Sequence, residues 1–91
     1  MTWKNLEEKV RTIASLRWNC AAVSETIAGI KCDCVLKLAE DNWIVIEITK
    51  QNDLNKARED IVKLRTVKNA LLLDEIYCKC YFVMEDKPTD S

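Results

Sequence analysis

The chain contains no histidine, and its 91 residues include one glycine, Gly29, and one proline, Pro88. Without histidine there is no Ser-His-Asp or Cys-His catalysis, and no imidazole to ligate zinc or haem iron. One glycine is too few for the loops that cradle phosphates in P-loop or dinucleotide-binding proteins. No apolar run approaches the roughly 20 residues that span a bilayer, so no membrane partner is expected. The segment Met1-Thr2-Trp3-Lys4-Asn5-Leu6-Glu7-Glu8 lacks the apolar core of a signal peptide, and the expected location is cytoplasmic. Excess charge is missing too. Fourteen Lys and Arg stand against fifteen Asp and Glu, a net charge of −1, so there is no global basic field for nucleic acid.

What is present fits one small domain. Trp3, Leu6, Val10, Ile13 and Leu16 recur at helical spacing and predict a helix over about 2–17, with Thr2 as its cap. A short strand is expected around Cys20–Val23. A second helix is expected from Asp53 or Leu54 to Leu71, with its apolar stripe on Leu54, Ala57, Ile61, Leu64 and Leu71 and its cap at Asn52 or Asp53. Ile76–Met84 reads as a last strand, and Glu85–Ser91 as a linker or frayed tail. Five cysteines include the spacings Cys32-x-Cys34 and Cys78-x-Cys80. Alternate strand residues lie ~6.6–6.8 Å apart, which argues against a shared zinc. Free, buried cysteines suit a reducing compartment.

Two strand-like runs lie between the helices: Gly29–Leu38 and Trp43–Lys50. A three-residue loop, Ala39-Glu40-Asp41, closed by Leu38 facing Asn42, makes them a hairpin whose facing positions sum to 80. Asp33 then faces Glu47, Val35 faces Val45, Lys37 faces Trp43 and Lys31 faces Thr49. One face carries Ile30, Cys32, Cys34, Leu36, Leu38, Ile44, Ile46 and Ile48. The other is mixed and polar, with Asp33 and Glu47 at its centre. The hydrophobic pattern defends this register, because a one-residue slip would bury both acids in the apolar layer. Two carboxylates meeting in a sheet repel and call for a cation, a proton or a basic neighbour.

The order is therefore αβββαβ. The expected fold class is α/β (α+β), a single small domain with a mixed β-sheet flanked by helices, one on each side or both on one side. The second helix has the length of a crossover between parallel strands.

Taken together, Gly29-Ile30-Lys31-Cys32-Asp33, Ile46-Glu47-Ile48-Thr49-Lys50 and the following helix Leu54–Leu64 resemble the PD-(D/E)xK, or restriction-endonuclease-like, nuclease superfamily. Glu7 of Leu6-Glu7-Glu8 is similar to the helix carboxylate of Mrr-like members. The resemblance implies Mg²⁺ (or Mn²⁺) held by Asp33 and Glu47, with the Ile48 carbonyl and Glu7 as further ligands. It implies hydrolysis of DNA phosphodiester bonds by an N-terminal module of a longer protein, in phage defence or DNA processing, and allows a homo-oligomer. Thr49 stands where the family has lysine. Lys50 is adjacent but alternates to the other face, so Lys31 is the better candidate for a relocated lysine. Lys56, Arg58 and Lys63 are the candidate nucleic-acid contacts, in a segment (50–68) with six basic and three acidic residues. Thr49 keeps a second reading open, a catalytically inactive nuclease-fold module for nucleic-acid or protein binding. A third is a small inhibitor or adaptor of unrelated α+β fold.

Overall fold

The computed structural model describes residues 3–49 and 54–84. The expected caps at Thr2, Asn52 and Asp53, the tail 85–91 and Lys50 lie outside the described residues, as do the side chains of Thr49 and Lys56. The elements are α1 (Trp3–Trp18), β1 (Ala22–Ile27), β2 (Ile30–Ala39), β3 (Asn42–Thr49), α2 (Leu54–Leu73) and β4 (Tyr77–Met84). They form a small α+β domain with one four-stranded sheet in the order β1-β2-β3-β4. The β1–β2 and β2–β3 pairs are antiparallel, and β3–β4 is parallel, joined through α2. No helix among the described residues is long and apolar enough to cross a membrane.

Both helices end in left-handed caps. Asn19 (φ 50°) follows α1, and Cys20 N–H donates to the Ser15 carbonyl at 3.1 Å. Glu75 (φ 62°) follows α2, and Ile76 N–H donates to the Leu71 carbonyl at 2.9 Å. In each case the bond runs back five residues and satisfies a carbonyl that the helix end leaves free.

The two helices cover opposite faces of the sheet. α1 packs on β1 and β2, and α2 on β3 and β4. Cys34, Leu36, Ile44, Ile46 and Ile48 form one core with Ala14 of α1, while Val35, Val45, Cys32 and Cys78 form the other with Leu64, Val67 and Leu71 of α2. The face expected to be mixed and polar is thus closed by α2, with Val35 and Val45 fully buried. The α1 stripe is also displaced from its expected line. Leu6, Val10, Ala14 and Trp18 face the sheet, whereas Ile13 and Leu16 are exposed. A step of four carries the contact line along α1, and the steps of three that put Ile13 and Leu16 on the stripe lead it outward.

The hairpin register holds where it is paired. Val35 faces Val45 and Lys37 faces Trp43, with a bulge between Lys37 and Ala39 that brings Ala39 opposite Asn42. The connection is therefore a two-residue turn, Glu40-Asp41, and not the expected three-residue loop. A second bulge lies between β1 and β2. Val23 faces Val35 but Glu25 faces Cys32, so Asp33 and Cys34 together oppose Ser24. Alternation breaks there, and Cys32 joins the α2 core while Cys34 stays in the α1 core. The sequence pattern had put both on one face.

The β1–β2 turn places Ala28 (φ 52°) and Gly29 (φ 78°) in left-handed geometry between the paired Ile27 and Ile30. Two positive φ values match the right-handed twist of the flanking strands. Alanine pays roughly 1 kcal/mol for this conformation. Ala28→Asn should raise stability by about 0.5–1 kcal/mol, a gain of about 2–8 °C in midpoint for a domain this size. Gly29→Ala should lower it by about 1 kcal/mol, although a Cβ there meets nothing within 4 Å. Thermal denaturation of the two variants checks both signs, and equal midpoints would contradict this account of the turn.

Candidate active site

The described β2–β3 partners end at Cys34↔Ile46. Beyond that point the strands exchange side-chain contacts. Asp33 N–H donates to Glu47 Oε2 at 3.4 Å, and Ile48 N–H donates to Asp33 Oδ2 at 3.1 Å. Two carboxylates thus take up main-chain donors where the strands part. The bulge at Asp33-Cys34 produces the parting, because it spends one extra β2 residue and turns Asp33 out of the ladder. Asp33 and Glu47 do come together, but as a crossed pair in the split and not as a facing pair in a regular ladder.

Each acid has its own surroundings. Around Asp33 these come from α1. Arg11 Nη1 donates to the Asp33 main-chain carbonyl at 3.0 Å, and the Glu7 carboxyl lies close enough to that of Asp33 for the two to interact. Burial, the Asp33 charge and that contact raise the pKa of Glu7, while Arg11 and Lys31 pull it down. Glu47 lies under α2 and is only 6% exposed. Burial first, then the Asp33 charge, push its pKa up to about 7; the Asp33 N–H and the Lys63 charge oppose this, and the Asp60 charge adds to it.

Asp60 is the residue the sequence reading missed. Ala57, Asp60, Leu64, Val67 and Leu71 are the buried positions of α2, and Asp60 is 2% exposed. The steps of 3, 4, 3 and 4 were there to be read, but the charge at 60 made Ile61 the natural choice for the stripe. Ile61 is 49% exposed. An acid at a core position is the more informative observation. Lys63, one turn on, places its Nζ 3.9 Å from Asp60 Oδ1 and keeps 46% of its side chain exposed. Arg11 was missed as well; its spacing of four from Glu7 was the available signal.

The remaining candidates are dispersed. Lys31 is exposed on β2 opposite Thr26 of β1 and acts electrostatically on Glu7. Lys37 is committed elsewhere, 3.0 Å from Glu25 and over the Trp43 ring. Arg58 is exposed and sits roughly 160° around α2 from Asp60, away from the acids. The cysteines are free. Burial raises the Cys32 and Cys34 thiols to about 11, which keeps them protonated and poor metal ligands at neutral pH. The sulfurs of Cys78 and Cys80 lean to 3.8 Å of each other, closer than the backbone spacing used against a zinc pair implies. Among the described residues, however, no three or more Cys, Asp or Glu side chains are grouped to hold an ion. Glu7 therefore does not complete a three-acid cluster with Asp33 and Glu47.

Two carboxylates suffice for Mg²⁺, a hard ion that takes oxygen ligands and retains several waters. Asp33 and Glu47 fit it in donor chemistry and in charge. No protein-family model, curated protein or solved structure matches this chain.

The acid pair makes stability pH-dependent. The folded-state pKa of Glu47 lies above its ordinary 4.5, near 7. Between these values the folded chain binds a proton that the unfolded chain has lost, so stability falls as pH rises through the window, by on the order of 2–3 kcal/mol. Glu47→Gln should remove this slope and be the more stable protein at pH 8 in metal-free buffer. Urea denaturation at pH 5 and pH 8 measures it. Parallel pH dependence in wild type and variant would contradict a strained Glu47.

Proposed function

We propose that the protein is a metal-dependent nuclease domain that hydrolyses DNA phosphodiester bonds, of the restriction-endonuclease-like type. The observation that carries this reading is the Asp33–Glu47 pair, crossed in the split between β2 and β3 with the first helix on one side and the second on the other. The αβββαβ order with a parallel β3–β4 pair supports it. So does the pKa of Glu47, raised by burial and by the neighbouring Asp33 charge, since carboxylates perturbed in this way are often held for function.

Asp33 and Glu47 would hold Mg²⁺ or Mn²⁺, with the Ile48 carbonyl as a further oxygen ligand. The bound ion supplies a positive charge and an oriented water for attack at phosphorus. The chain's own residues do the rest. Ile48 N–H fixes Asp33, Asp33 N–H fixes Glu47, and α2 excludes water from the inner side of Glu47. Arg11, anchored on the Asp33 carbonyl, holds α1 against the split. Exposed Lys63, near Asp60 on α2, offers charge to a phosphate at the site, whereas Arg58 lies on the far side of that helix. Thr49 at the family's lysine position favours a second reading, a nuclease-fold module that binds DNA or a protein partner without cutting.

Purified protein should cleave plasmid or duplex oligonucleotide in Mg²⁺ or Mn²⁺. Asp33→Ala and Glu47→Ala should each cut the rate by a factor of about 100 or more. Mn²⁺ should raise the midpoint of thermal unfolding in wild type and not in the variants. DNA binding without cleavage, indifferent to Glu47→Ala, would replace this reading with the second.

A further inference from the structure

We propose that Lys63, seated on the buried Asp60, is the catalytic cation of this site and supplies from α2 the positive charge that Thr49 does not supply from β3. This rests on the nuclease reading. Asp60 occupies a core position of α2, where an apolar residue would pack, on the helix face that closes over Glu47. A buried carboxylate is retained at the cost of desolvation and holds its partners in place. Lys63 lies one turn further along, 3.9 Å from it, with nearly half of its side chain open to solvent. Its ammonium is therefore steered by Asp60 and still open to a ligand. Cys80 Sγ lies 3.9 Å from the Leu64 carbonyl, and Cys80 pairs with Val45 as Phe82 pairs with Glu47; α2 runs back along the sheet from the end of β3, so the turn before Leu64, with Asp60 and Lys63, lies toward Glu47. Lys37 is paired with Glu25, and Arg58 faces away.

In hydrolysis a water oxygen bonds to phosphorus as the ester P–O bond breaks. The proton the water loses is balanced by the one the departing oxygen gains, both exchanged with solvent. Lys63 stays an ammonium throughout and stabilises the negative charge that builds on the phosphoryl oxygens. Asp60 is a positioning residue, acting through Lys63.

The test compares Lys63→Met, Lys63→Arg and Asp60→Asn with wild type, in duplex cleavage at saturating DNA and in Mn²⁺ titration followed by thermal shift. Lys63→Met should lower kcat by about 100-fold with KM within about threefold of wild type, and Lys63→Arg should recover at least about a tenth of the rate. Asp60→Asn should lower kcat by about tenfold. Removing the Lys63 charge should also tighten Mn²⁺ binding by about threefold, because a positive neighbour of Glu47 is gone. A structural role would not move it in that direction. Wild type that binds Mn²⁺ and cleaves, with Lys63→Met cleaving as fast or binding Mn²⁺ no tighter, overturns the Lys63 assignment and leaves the nuclease reading standing. Wild type that neither cleaves nor gains stability from Mn²⁺ overturns both.

Discussion

The structure turns on what happens when two adjacent strands stop exchanging main-chain hydrogen bonds inside a closed fold. The freed N–H donors at Asp33 and Ile48 need acceptors, because a buried unpaired donor costs about 1–3 kcal/mol. The acceptors here are the Glu47 and Asp33 carboxylates, each reaching across to the other strand. This solves the donor problem and creates another. It gathers negative charge at a place covered by protein, where charge is least welcome. Much of the local architecture follows. Arg11 comes down from α1 onto Asp33, Glu7 beside the Asp33 carboxyl has its pKa raised, and Glu47 gives up part of its acidity.

The distribution of charge around the pair is uneven, and that unevenness bears on function. On the α1 side a cation is bonded directly to the Asp33 backbone. On the α2 side a second buried acid, Asp60, adds to the negative field on Glu47, and Lys63 answers from a half-exposed position. A site meant only to hold the sheet together would gain from replacing Glu47 or Asp60 with an apolar residue of similar size. Keeping Glu47 as an acid makes sense if a ligand brings positive charge to it. Under the proposed nuclease reading, the helices, more than the strand carrying Thr49, would provide the cations for a phosphate.

Much of the fold was legible in the residues. Helical periodicity marked both helices, although the contact line was misread at Ile13 and Leu16 on α1 and at Ile61 on α2. On α1 the small Ala14 is buried where Ile13 looked the better core residue, and on α2 the charged Asp60 is buried where Ile61 did. Both errors share a cause. Ranking by hydrophobicity favours the larger apolar side chain, while the geometry of a helix on a sheet favours the step that stays in line. The hairpin register was legible because the Ile44-Ile46-Ile48 row excludes any one-residue slip. The bulge was not, since nothing in Cys32-Asp33-Cys34 signals an extra residue opposite Ser24. That Val35 and Val45 lie under α2 was hidden because two valines among charges read as a solvated face. The acid pair could be found from the strands alone. Its surroundings depend on where the helices land, which spacing alone does not fix.

The central claim is that Asp33 and Glu47 form one electrostatic unit able to hold a divalent cation. The most direct measurement is the titration of the Glu47 side-chain carboxyl carbon by NMR, with and without Mg²⁺. In metal-free buffer its midpoint should lie near 7, and saturating Mg²⁺ should drive it below the ordinary 4.5, because the ion favours the charged form. A midpoint that stays where it is when Mg²⁺ is added would contradict the account.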